Sequence, residues 1–196
     1  MIRWPAICLL LLAATGITPA WALESAPVRS DRAVVTLITD TDHVAAGTQF
    51  RAGLQLRMAP GWHTYWRNPG DAGTTPELHL TLPAGVTAGP IDWPAPQILR
   101  EGPVVTYSYE HEIVLPVTVT VARDAALPLH LAAHAEWLVC ANICVPEQGD
   151  FTLDLPAGTP APSAQAPLFA ATDRLIPRPA PFTARVAPDG VLSVTG

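Results

Sequence analysis

The chain has 196 residues and a formal net charge of −6, and every one of its 11 basic residues is arginine. With no basic cluster, nucleic acid is excluded as a partner class. The length allows one domain of ordinary size plus an extension, and a hydrophobic content of 49% supplies enough valine, leucine and tryptophan for a core.

Residues 1–22 read as a signal peptide. Arg3 gives a short positive start, Pro5 to Ile17 an apolar stretch, and Ala20-Trp21-Ala22 a small-x-small cleavage site that would leave Leu23 as the mature N-terminus. The stretch is shorter than the roughly 20 residues a membrane span needs, so export is expected. Cys8 would be discarded with the leader, and the loss of Arg3 would take the net charge from −6 to −7. No later apolar run is long enough to cross a bilayer, so any membrane anchor would lie outside these residues.

Residues 23–156 carry the pattern of strands. Ala33 to Thr39 is a β-branched run, and Phe50 to Met58 alternates, with Phe50, Ala52, Leu54, Leu56 and Met58 on one side. Further strands are expected at Trp62 to Trp66, Glu77 to Leu82, Ile113 to Val121, Leu129 to Val139 and Phe151 to Leu155, separated by turn clusters such as Asn68-Pro69-Gly70-Asp71. About seven short strands without an amphipathic helix predict an all-β fold, an immunoglobulin-like antiparallel β-sandwich.

Residues 157–181 are rich in Pro and Ala and read as a linker, with a short helical turn at Leu168 to Leu175. Residues 182–196 read as a β-hairpin, either the start of a second β-domain or a tail that docks on the first.

After processing, the only cysteines are Cys140 and Cys144, with three residues between them. An even count in an exported chain points first to a structural disulfide. So short a loop, however, gains only about 2 kcal/mol from closure, and a reachable bridge at a turn can instead exchange with an attacking thiolate. Zinc or Cu(I) is a third reading, because His130, His134 and Glu136 share a strand face with Cys140. Strand rise puts His134 about 20 Å and His130 roughly 33 Å from that cysteine, so no metal site is assigned. A cysteine hydrolase would require a histidine and an orienting group beside the thiol. His63, Arg67 and the tryptophans Trp62, Trp66, Trp93 and Trp137 are read as structural, with Trp137 bordering the cysteine loop.

Four runs, Gly61-Trp62-His63-Thr64-Tyr65-Trp66-Arg67-Asn68-Pro69-Gly70-Asp71-Ala72-Gly73, Asp92-Trp93-Pro94, Tyr107-Ser108-Tyr109-Glu110 and Trp137 through Glu147, occur in this order. Together they resemble the periplasmic N-terminal domain of DsbD-type thiol:disulfide interchange proteins, and most nearly the ScsB (suppression of copper sensitivity) branch. The resemblance implies an immunoglobulin-like domain in the periplasm that acts as a protein-disulfide reductase component without a cofactor. It would take electrons from a transmembrane donor domain, which could lie downstream in the same chain, and pass them to periplasmic thioredoxin-like proteins. Cys140 and Cys144 would be the redox couple, Cys144 forming mixed disulfides and Cys140 resolving them.

Better-known members have a wider cysteine gap and an acidic pair before a cap-loop aromatic that shields the sulfurs. Here Val105-Thr106 precede Tyr107, and shielding is carried to Tyr107 and Tyr109. Glu110 and Glu147 are candidates for raising the thiol pKa. A non-enzymatic interaction module with a structural disulfide and a periplasmic copper-binding domain stay open as alternatives.

Overall fold

The computed structural model describes residues 24–196. The expected leader, with Cys8, lies outside the described residues. The strands are β1 (Val28–Arg29), β2 (Ala33–Thr39), β3 (Gln49–Met58), β4 (His63–Gly70), β5 (Glu77–Thr81), β6 (Val86–Ile91) and β7 (Gln97–Glu101). They continue with β8 (Val104–Glu110), β9 (Glu112–Val121), β10 (Leu129–Cys140) and β11 (Cys144–Leu155). Helix α1 (Ala166–Asp173) and the hairpin β12 (Thr183–Val186) and β13 (Leu192–Thr195) follow.

Two antiparallel sheets face each other. One runs β1-β2-β3-β9-β6, the other β11-β10-β4-β8-β7, with β5 on the middle of β10. The alternation read in β3 explains the packing. Phe50, Ala52, Leu54 and Leu56 stand opposite Val119, Val117, Leu115 and Ile113 of β9, and all eight are buried. Odd-numbered residues of β10, from Leu129 to Val139, close the core from the second sheet together with Phe151, Leu153 and Leu155. This is the expected β-sandwich.

Four strands escaped the sequence pattern, namely β1, β6, β7 and β8, and β11 begins well before Phe151. The cause is visible in β6 and β11, which carry Pro90 and Pro146. Both are edge strands, where a missing N–H breaks no ladder.

The expected linker needs correction. Residues 157–175 lie along the sandwich instead of leaving it. Val44 N–H donates to Pro156 O, Gly158 N–H to Val44 O, Asp42 N–H to Ala161 O and Ser163 N–H to Asp40 O. Phe169 of α1 is then fully buried against Ile38 and Val114 on the outer face of the first sheet. Gly53 makes this possible, because a Cβ there would stand 3.1 Å from the Phe169 ring. Composition misled because a strap held by its own backbone needs only one anchoring aromatic. The β12–β13 hairpin is exposed throughout, with Ala184, Val186, Leu192 and Val194 on one face and Thr183, Arg185, Ser193 and Thr195 on the other.

Candidate functional site

The turn between β10 and β11 brings the two cysteines directly opposite each other, and they form a disulfide. Their surroundings differ. Cys140 is 1% exposed, whereas Cys144 is exposed and follows Ile143, itself 66% exposed. An incoming thiolate therefore meets Cys144 first.

Register then defines what stands beside the bridge. Cys144 faces Cys140, Cys140 faces His63, and His63 faces Glu110, so four neighbouring strands place these residues in one row. Directly opposed residues project from the same face of a sheet. Tyr65, two residues beyond His63 on β4, shares that face, as does its own partner Ser108. The face is the outer one, away from the core.

Within this row Tyr65 Oη lies 3.9 Å from Cys144 Sγ, and His63 Nε2 lies 3.2 Å from Tyr65 Oη. Both rings are buried and meet edge to face, with centroids 5.2 Å apart. Burial lowers the His63 pKa against the opposing pull of Glu101 and Glu110. Burial, reinforced by Glu101, raises the Tyr65 pKa, so the phenol keeps its proton. Ser108 is fully buried, and its Oγ has no hydrogen-bond partner among the described residues.

Two glycines of the Asn68–Gly73 run fix β4 and its tyrosine. Gly73 has φ +97°, and a Cβ there would fall 2.3 Å from Tyr65 Cε1, so the backbone presses on the ring. Gly70 has φ +89°, and its Cβ would meet Val105 O at 2.4 Å. Only glycine tolerates both the conformation and the approach.

The β7–β8 hairpin contributes Leu99, Glu101 and Glu110 to a cleft of about 450 Å³ that also includes Trp62, His63, Ala141 and Asn142. The shielding carried to Tyr107 and Tyr109 needs correction. Alternation along β8 places both on the face opposite the sulfurs. Tyr109 is buried in the core and donates to Pro94 O at 2.7 Å, and Tyr107 packs edge-on to Trp66 at 6.0 Å. Tyr65 is the phenol at the bridge.

Glu147 is likewise turned away from the sulfurs. It faces Trp137 across the ladder, accepts from Trp137 Nε1 at 3.0 Å and pairs with Arg32 at 2.7 Å. Glu110, in contrast, stands in the sulfur row. His130 and His134 are engaged by Asp154 and Asp150 of β11. Among the described residues no group of three or more His, Cys, Asp or Glu could hold a metal ion.

Sequence reasoning set His63 aside because nothing paired it with the cysteines, and it passed over Tyr65. The usable signal was the alternation itself. It gives His63 and Tyr65 one face, but the β4–β10 pairing that turns this face toward Cys140 is absent from local sequence.

A sequence search of characterised proteins returned no match. In fold, the chain is similar to the N-terminal periplasmic domain of ScsB from Proteus mirabilis, with TM-score 0.63 and 22% identity over 83% of this chain. It spans 63% of the length of that solved chain. A weaker likeness is to the Neisseria meningitidis DsbD N-terminal domain in the reduced form, with TM-score 0.29 and 12% identity over 64% of this chain and 89% of that one. The profile of the family "Thiol:disulfide interchange protein DsbD, N-terminal" matches residues 35–156, more than half of the chain. The chain therefore belongs to the DsbD N-terminal family.

Proposed function

We propose that this chain is a periplasmic thiol:disulfide exchange domain of the ScsB branch, which takes electrons from a membrane reductase system and passes them to thioredoxin-like partners through Cys140 and Cys144. The unequal exposure of the two cysteines supports this reading most directly. A bridge with one sealed and one open end offers a single point of attack and a protected resolving thiol.

The reduced Cys144 thiolate attacks a partner disulfide, forming a mixed disulfide and releasing one partner thiolate. Cys140 then attacks Cys144 Sγ, the partner's second sulfur leaves with the electron pair, and the intramolecular bridge closes. Two electrons have moved to the partner.

In a Cys140→Ser variant the mixed disulfide should accumulate on Cys144, whereas Cys144→Ser should trap none. The wild-type bridge should equilibrate with glutathione or dithiothreitol buffers. A reduction potential well below about −300 mV, as in structural bridges, would leave a non-enzymatic module as the correct description.

A further inference from the structure

The geometry points to a second working group at this bridge: we propose that Tyr65, oriented by His63, donates a hydrogen bond to the Cys144 thiolate and so sets how readily that sulfur attacks and leaves. The inference rests on the exchange reading above and names a positioning pair within it.

One tautomer of His63 sets a hydrogen-bonding direction that serves the sulfur. In the Nε2–H tautomer His63 donates to Tyr65 Oη, 3.2 Å away, which leaves the phenol proton free to point at Cys144 Sγ, 3.9 Å away. A disulfide sulfur is a weak acceptor and accounts for the long contact. A thiolate at the same position carries a full charge and draws a donor in, since charge-assisted hydrogen bonds are shorter and stronger than neutral ones. The Tyr65 ring has little room to turn aside, because Gly73 presses on it and His63 packs against it.

The charged groups facing this pair are Glu101 from β7 and Glu110 from β8. Both carboxylates disfavour a thiolate through space, so a buried donor is the counterweight that keeps Cys144 reactive. The donor survives across the range in which a thiol titrates, since burial and Glu101 hold the phenol protonated.

Two steps use it. When Cys144 attacks a partner disulfide, the hydrogen bond increases the thiolate fraction. When the domain is itself reduced, the donor's second thiolate attacks the donor sulfur bonded to Cys144. A donor disulfide forms, the bond to Cys144 breaks, and the electron pair stays on Cys144 as a thiolate facing the Tyr65 hydroxyl.

The test is the pH dependence of iodoacetamide alkylation in the full mature chain carrying Cys140→Ala, where Cys144 is the single thiol. Tyr65→Phe should raise the midpoint by about one pH unit, a tenfold smaller thiolate fraction at pH values below it. His63→Leu should shift it the same way by less, and His63→Gln, which keeps an N–H donor, should restore the parent value. An unchanged midpoint in Tyr65→Phe overturns the proposal. If Tyr65→Phe does not fold by circular dichroism, the His63 variants decide, and equal midpoints for Leu and Gln overturn it. Failure of the exchange reading is separable, because it would appear as a wild-type bridge that thiol buffers do not open.

Discussion

The middle of the β10–β11 ladder and the strand beside its cysteine end use the same residue type in opposite ways. At the middle of the ladder His134 is held by Asp150 at 2.7 Å, and that hydrogen bond raises its pKa. At the cysteine end His63 is sealed between β10 and β8, and burial lowers its pKa. Both side chains project from the outer face of one sheet. The surroundings therefore decide which protonation state each holds: a solvated carboxylate stabilises imidazolium, while a dry contact with a phenol favours neutral imidazole.

The sharpest way to break the contrast is to disturb the packing of the cysteine end. Gly73→Ala must place a methyl group on the Tyr65 ring at a backbone conformation that alanine rarely adopts. A loss of about 3 kcal/mol is expected in urea unfolding, with Tyr65 displaced from Cys144. Next in size is Glu147→Ala, which leaves the Trp137 indole N–H and the Arg32 guanidinium without their shared acceptor. About 2 kcal/mol should be lost, with a change in tryptophan fluorescence. The counterpart at the open end, Asp154→Ala, removes an exposed partner of His130 and should leave the unfolding midpoint where it was. Equal losses from the two substitutions would erase the distinction.

Acidity tests the same contrast with opposite signs. His63 takes up a proton more readily unfolded than folded, so its contribution is complete above the ordinary value of 6.5 and is lost as pH falls through the depressed folded pKa. His134 binds its proton more tightly when folded, so its contribution is present below 6.5 and fades as pH rises through the raised folded pKa. In urea titrations between about pH 5 and 8, His63→Gln should flatten the acid limb and His134→Gln the alkaline one. A common effect on one limb would mean that the two environments are not distinct.

Much of the sandwich was legible because its core obeys local alternation. Phe50 to Met58, Ile113 to Val121 and Leu129 to Val139 each carry enough period-two signal to fix which side faces inward. The cysteine pairing was within reach of the sequence for a similar reason, since Cys140 and Cys144 need only the turn between them to meet as a disulfide. What local pattern cannot encode is which strands become neighbours. Tyr107 and Tyr109 lie in the quoted motif but point inward, whereas Tyr65 reaches the bridge because β4 pairs with the last residue of β10. The docked strap was hidden too, its position depending on the space that Gly53 leaves for Phe169.

The smallest effect is also the most selective. Asp150→Asn removes the leading cause of the raised His134 pKa while Glu136 stays 3.5 Å from the same ring. The imidazole titration followed by NMR should therefore move down, because the desolvation that lowers it is then opposed only by Glu136. Unfolding stability should hardly change, because an exposed ion pair offsets little more than the entropy of holding two side chains together. The His63 titration should be unmoved, because Asp150 and His63 lie on strands separated by β10 and at different positions along it. If the His134 midpoint stays where it was, its carboxylate partner is not engaged in solution, and the contrast along the ladder reduces to the burial of His63 alone.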